Sequence, residues 1–195
     1  MSSGSTCTPI SIFQQVLSGR WLDLCDLLRP VLERKVGGTD MAIEIERKFL
    51  VDPNVWKPEG EGVSCRQGYL SSVMQCVVRV RVAWSEAFLT LKGISENVSR
   101  FEFEYPIPRN DAEIILDRLC EHPLVEKTRY KQRIGDKVWE IDVFHGENDG
   151  LIVAEIELSL ESETFEHPPW LGREVSDDPR YFNSNLSRNP FKNWR

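Results

Sequence analysis

The charged residues in Glu44-Ile45-Glu46-Arg47-Lys48 that could do chemistry, Glu44, Glu46 and Lys48, fall on every second position, while Ile43, Ile45, Arg47 and Phe49 take the alternate ones. In an extended chain successive side chains point to opposite faces, so this spacing sets two carboxylates and an ammonium in one row, with Cα atoms roughly 6.5–7 Å apart. One such row is ordinarily the wet face of a half-exposed strand. Here the pattern recurs. Arg79 and Arg81 alternate with Val78, Val80 and Val82, and Lys92 follows Leu89-Thr90-Leu91. Arg100, Glu102 and Glu104 alternate with Phe101, Phe103 and Tyr105, and Lys127 and Arg129 share a parity. Glu140 and Asp142 alternate with Trp139, Ile141 and Val143, and Glu155 and Glu157 with Ala154, Ile156 and Leu158.

Decorative charge on antiparallel strands mixes signs and includes Thr, Ser, Asn and Gln, whereas these strands are close to all-acid or all-base in blocks. If the strands close into a barrel, the charged parity converges on one lumen and the apolar parity is covered from outside. Like charges that close repel more strongly as water is excluded, so the arrangement requires bound counter-charges. The acids are Glu44, Glu46, Glu102, Glu104, Glu140, Asp142, Glu155 and Glu157; the bases are Lys48, Arg79, Arg81, Lys92, Arg100, Lys127 and Arg129. A site so close to neutral can take up cations and a polyanion together. Carboxylates without His or Cys partners select hard ions, Mg²⁺ or Mn²⁺ rather than zinc. Guanidinium groups grip phosphate oxygens bidentately and Lys acts as a point charge, so the implied ligand is a metal-complexed polyphosphate. Positioning, charge neutralisation and an activated water carry most of the hydrolysis of such a chain.

The ordered series Glu44-x-Glu46-x-Lys48, Arg79-x-Arg81, Lys92, Arg100-x-Glu102-x-Glu104, Lys127-x-Arg129 and Glu155-x-Glu157 resembles the CYTH domain of the triphosphate tunnel metalloenzymes, from about Ala42 to the C-terminus. The resemblance implies a mainly β fold, an eight-stranded antiparallel closed barrel with peripheral helices, and divalent-metal-dependent cleavage of a triphosphate. It also implies roles: Lys48, Arg79, Arg81, Lys92, Arg100, Lys127 and Arg129 on the phosphates, and Glu44, Glu46, Glu102, Glu104, Glu155 and Glu157 around Mg²⁺ or Mn²⁺. Lys48, Glu157 and Asp142 are the expected catalytic set, with Asp142 supporting a metal or the water and Glu140 a counter-charge. The leading substrate is inorganic tripolyphosphate, cleaved to pyrophosphate and phosphate. Thiamine or nucleoside triphosphates, the class IV adenylate cyclase reaction and a non-enzymatic polyphosphate- or nucleotide-binding module remain open, although no feature builds an adenine pocket.

The elements that must position these rows fit a single domain after a lead segment. A chain of 195 residues, 41% hydrophobic and 28% charged, is ordinary globular composition. The net charge of −7 argues against a broad basic surface for nucleic acid. Five cysteines, Cys7, Cys25, Cys65, Cys76 and Cys120, without CxxC spacing, fit a reduced cytoplasmic setting. No run approaches ~20 apolar residues and the N-terminus lacks a signal-peptide pattern, so no membrane partner is expected; the protein reads as a monomer or homodimer. Residues 1–40 read as a helical extension and linker before a domain at 41–195. Ser11-x-x-Gln14 has the form of a capping box, Leu17, Trp21, Leu24 and Leu28 share a helical face, and Gly37-Gly38 breaks it. That segment is read either as a real amphipathic extension or as sequence upstream of a native start at Met41. Residues 111–119 predict an amphipathic helix with Ile114, Ile115, Leu116 and Leu119 toward the sheet, capped by Asn110 or Asp111. Gly135-Asp136 predicts a hairpin and Gly146 to Gly150 a longer turn. Tyr69 reads as a packed aromatic, with an inward hydroxyl as the alternative, and Arg173 either as an exposed residue or as one reaching the mouth of the site.

Overall fold

A computed structural model describes residues 43–73, 76–96 and 99–194. Nine strands form one antiparallel sheet: β1 (Ile43–Val51), β2 (Val63–Val73), β3 (Cys76–Ala83), β4 (Glu86–Glu96), β5 (Ser99–Pro106), β6 (Val125–Ile134), β7 (Lys137–Phe144), β8 (Ile152–Leu158) and β9 (Leu171–Glu174). Their order is β5-β4-β3-β2-β6-β7-β8-β1-β9, and the start of β1 also pairs with β5. Helix α1 (Arg109–Arg118), the single turn α2 (Asn183–Leu186) and three short 3₁₀ turns, Gly146–Asn148, Pro179–Tyr181 and Phe191–Asn193, complete the regular structure of the described residues.

The expected eight-stranded closed barrel is corrected on two counts. The described residues form nine strands, and the sheet is not closed along the length of β1. The second edge of β1 is divided: Ile43, Glu44 and Ile45 pair with Phe101, Arg100 and Ser99 of β5, whereas Phe49 and Val51 pair with Glu174 and Leu171 of β9. The chain after β9 extends that substitution. Val175 N–H donates to the Lys48 carbonyl at 2.8 Å, and Lys48 N–H donates to Ser176 Oγ at 2.9 Å. Gly172 lets β9 lie this close, because a Cβ there would come within 2.9 Å of the Leu50 carbonyl oxygen. β1 and β5 therefore part beyond Ile45.

Alternation decides what each face buries. On the outer face Phe49, Trp139, Ile141, Ala154 and Ile156 form a core under Trp56 and Trp170, with Ile45 and Phe165 packed against it. Each of the largest of these side chains stabilises by about 2–3 kcal/mol through removal from water. A second outer core, Val80, Val82 and Ala87, is covered by Ala112 and Leu116 of α1 and by Cys120. The helix prediction is corrected in its facing: Ile115 and Leu116 turn inward, but Ile114 and Leu119 are 56% and 64% exposed. The helix starts at Arg109 after Pro108, and neither Asn110 nor Asp111 caps it. Gly135, at φ +61°, turns β6 into β7 as expected.

The third core lies on the charged face itself. Leu50, Val125, Phe144 and Val153 continue the parities of Lys48, Lys127, Asp142 and Glu155, and they pack with Tyr69, Val175, Tyr181 and Leu186. The C-terminal segment thus supplies an apolar floor to a face that is charged beyond it. The predicted helix of residues 1–40 lies outside the described residues.

Candidate active site

Strand register puts the charged rows side by side. Across β1 and β8, Glu46 stands opposite Glu157 and Lys48 opposite Glu155; across β7 and β8, Glu140 faces Glu155; across β6 and β7, Arg129 faces Asp142. On the other side Arg79 faces Thr90, Thr90 faces Glu104, and Lys92 faces Glu102. Glu44 opposes Arg100, but the side chains of these two lie outside the described residues. Directly opposed side chains have Cβ atoms about 4.5–5.5 Å apart, so Glu46 with Glu157 and Glu140 with Glu155 are like-charge pairs that cost energy unless a base or a cation intervenes.

The bases intervene in two groups. Buried Lys48 donates to Glu46 Oε1 at 2.9 Å and pairs with Glu155. Arg129 donates through Nε and Nη2 to the two oxygens of Asp142 at 2.7 and 2.6 Å, and through Nη2 to Glu155 at 2.7 Å; it also pairs with Glu140. Lys127 pairs with Asp142, which has no exposed surface. The second group spans β3, β4 and β5. Arg79 Nη2 donates to Thr90 Oγ1 at 3.1 Å and lies 3.4 Å from Glu104 and 3.5 Å from Glu102. Arg81 donates to both oxygens of Glu104 at 3.2 and 3.0 Å, and Lys92 pairs with Glu102.

Contacts between Arg129 on β6 and Glu155 on β8, and between Arg79 on β3 and Glu102 on β5, bridge strands two apart, roughly 10 Å of backbone. Together with exposures of 8% for Lys48, 8% for Arg79 and 2% for Lys127, they make this face a concave, sheltered one. The electrostatics follow from that shelter. Burial would push the Glu155 and Asp142 carboxyls up, but Lys48, Arg129 and Lys127 hold Glu155, and Arg129 and Lys127 hold Asp142, below the ordinary range. Burial would likewise discharge Lys48, and Glu155 and Glu46 overcome it, raising its pKa. Lys127 is lowered, by burial and then by Arg129. Arg81 is lowered by burial and by Arg79. Glu157 moves the other way: loss of solvation, then repulsion from Glu140 and Glu46, raises its carboxyl.

The donor set suits a hard divalent cation. It consists of carboxylate oxygens alone, and Glu46, Glu140 and Glu157 crowd one another enough to hold a proton on Glu157 more tightly than usual. Among the described residues no three carboxylates already converge on a single point, since most are drawn onto Lys and Arg. The bases suit an anion: the buried Nε atoms of Arg79 and Arg81 have no hydrogen-bond partner.

Every predicted site residue with a described side chain lies on this one face, in two groups. Four uncharged residues join them that the charge pattern did not single out: Cys65, Gln67 and Tyr69 on β2, which register beside Lys127, Arg81 and Arg79, and Thr90 on β4. Parity was the available signal for all four. Tyr69 is both packed and inward, its Oη accepting from Gln67 Nε2 at 2.7 Å. Arg173 is exposed and donates to Tyr181 Oη at 3.3 Å.

The sequence profile of the CYTH domain matches residues 42–184. The chain belongs to the CYTH domain family. A protein of Acetivibrio thermocellus named inorganic triphosphatase is 50% identical over 155 residues, which cover 80% of this chain and 99% of that protein. Another of that name, from Nitrosomonas europaea, is 39% identical over 150 residues, 74% of this chain and 96% of that one. A solved structure of an inorganic triphosphatase superposes with a TM-score of 0.55 at 38% identity, covering 74% of this chain and 97% of its own. The matched span of this CYTH domain contains every one of the predicted site residues.

Proposed function

We propose that this protein hydrolyses inorganic tripolyphosphate to pyrophosphate and phosphate with Mg²⁺ or Mn²⁺. The observation that carries the reading is the composition of the sheltered face: guanidinium and ammonium groups from β1, β3, β4 and β6 stand among carboxylates from β1, β5, β7 and β8, and every identifiable polar contact there suits phosphate or metal rather than a base or sugar. The two relatives named inorganic triphosphatase support it.

In this reading Lys48, Arg79, Arg81, Lys92, Arg100, Lys127 and Arg129 bind the phosphates, and Glu44, Glu46, Glu102, Glu104, Glu155 and Glu157 hold the cation. The bound cation supplies charge neutralisation on phosphate oxygens and a water of lowered pKa. The protein's own contribution is an exchange of partners. Each base with a described side chain now rests on an acid, so a metal-complexed anion can satisfy both sides without leaving either buried charge alone. Asp142 takes a different part from the one expected. With no exposed surface and both oxygens engaged by Arg129 and Lys127, it aims those two bases rather than meeting metal or water. Sheltered cations then stabilise charge on the chain as the terminal phosphoryl group departs.

The test is a panel of tripolyphosphate, ATP and thiamine triphosphate with Mg²⁺ or Mn²⁺, following phosphate release and cyclic AMP. Tripolyphosphate is expected to turn over fastest and only with metal. Cyclic AMP as the main product from ATP would overturn the reading.

A further inference from the structure

Thr90 is a fully buried hydroxyl in the middle of the charged face, on β4 between Arg79 of β3 and Glu104 of β5. Its oxygen accepts from Arg79 Nη2 at 3.1 Å, and its proton goes to Glu104 Oε2 at 3.0 Å. Arg79 Nη2 also donates directly to Glu104 Oε2, but at 3.4 Å, longer than the ~2.8 Å of a close charged hydrogen bond, while Arg81 donates to both oxygens of Glu104. We infer that Thr90 is a positioning residue that holds Arg79 and Glu104 apart, keeping the base available to phosphate and the acid available to a cation.

The argument is one of partner strength. A buried guanidinium and a carboxylate left to themselves close into a short ion pair, and each ligand must then break that pair before it binds. A hydroxyl is the smallest group that satisfies both without discharging either, because it accepts and donates at once and carries no net charge. The other half of the site is held differently: Lys127 and Arg129 are aimed by a carboxylate, Asp142, which offsets part of their charge. On the β3–β5 side Arg81 and Lys92 also rest on carboxylates, Glu104 and Glu102, but between Arg79 and Glu104 the closest contacts run through a neutral hydroxyl. Parity places Thr90 on this face and charge does not single it out; its placement between the two strands gives it this part.

This inference rests on assigning Arg79 to phosphate and Glu104 to the cation, so the experiment separates the two levels. Thr90→Ala and Thr90→Ser differ by a single oxygen, and Thr90→Val keeps the shape without the hydroxyl. Three quantities are measured on each: Mn²⁺ binding to the protein alone, kcat and KM for inorganic tripolyphosphate, and the thermal midpoint. Thr90→Val and Thr90→Ala are expected to weaken Mn²⁺ binding and raise the tripolyphosphate KM by about five- to tenfold, the net worth of one ordinary hydrogen bond, with Thr90→Ser within about twofold of the parent in both. Should Thr90→Val not fold, the Ala and Ser pair decides. Equal Mn²⁺ affinity and KM in Ala and Ser, with only the thermal midpoint moving, would overturn the spacer and leave a packing role. Glu104→Gln and Arg79→Ala are the reference points. If Glu104→Gln leaves Mn²⁺ binding unchanged, the assignment of the acids fails; if it weakens binding while the Thr90 variants match the parent, the spacer alone fails.

Discussion

Asp142→Asn removes one charge at nearly constant volume from the most deeply buried ion cluster among the described residues. Three charged hydrogen bonds end on this carboxylate, two from Arg129 and one from Lys127. Arg129 keeps Glu155 and Glu140, whereas the only ion pair of Lys127 with a described residue is to Asp142. Breaking a buried pair from one side costs about 3–5 kcal/mol. For a domain of this size that corresponds to a fall in thermal midpoint of roughly 6–20 °C. Lys127 has a cheaper escape, which is to lose its proton, since burial and Arg129 already lower its pKa. The variant's KM for tripolyphosphate should accordingly rise with increasing pH more steeply than the parent's. Acid removes the stability difference. The folded carboxyl of Asp142 lies below its unfolded value, so its contribution is complete above about pH 4 and fades as the pH falls through the folded pKa. Parent and variant should therefore converge below about pH 4. Thermal unfolding followed by circular dichroism from pH 3 to 8, with steady-state kinetics from pH 6 to 9, tests both. A midpoint change under about 2 °C at pH 7, with no altered pH dependence of KM, would refute the account of Asp142 as the anchor of Lys127 and Arg129.

Glu157→Gln should abolish metal-dependent turnover without lowering the thermal midpoint of the metal-free protein, because its carboxyl is pushed up by lost solvation, Glu140 and Glu46 and is a burden there at neutral pH; a lost fold would contradict this. Arg79→Ala should raise the KM for tripolyphosphate and lower kcat, since it removes charge that binds the phosphate chain in the ground state and more strongly as charge develops in the transition state, and an unchanged KM would count against the assignment. Chelation with EDTA should stop phosphate release and Mn²⁺ should restore it, as read by a colorimetric phosphate assay. Deleting residues 1–40 should leave a folded, active domain, because every proposed site residue lies after Met41; aggregation or a large drop in thermal midpoint would instead make Leu17, Trp21, Leu24 and Leu28 part of its fold.

Much of the site was legible because period-two spacing is dictated by the backbone of a strand, and charge on one parity betrays a sheltered polar face. Lys48, Arg79 and Glu155 needed nothing more. β2 escaped the pattern because its inward row, Cys65, Gln67 and Tyr69, carries no charge, and β9 because four residues, Leu-Gly-Arg-Glu, are too few for periodicity. The part proposed for Asp142 was hidden for another reason. A carboxylate that binds metal and one that aims a lysine have the same spacing, and only complete burial against Lys127 and Arg129 separates them. Ile114 was misplaced because its apolar neighbours Ile115 and Leu116 blur the helical face; Ala112, a small residue, marks the true one.

The division of the β1 edge between two partners bears on solubility. A sheet whose ends do not fuse along their length presents backbone donors and acceptors that can recruit strands from other molecules. β9 takes up β1 from Phe49 onward, and as a short strand containing Gly172, Arg173 and Glu174 it makes a poor template in turn. Pro106, at the end of β5, withholds a donor where that strand has left β1. The residues that spoil the closed barrel thus act as gatekeepers against intermolecular strand addition. Loss of the segment from Leu171 onward would expose the backbone edge that flanks Lys48, and the resulting defect would be self-association before it was a defect of catalysis.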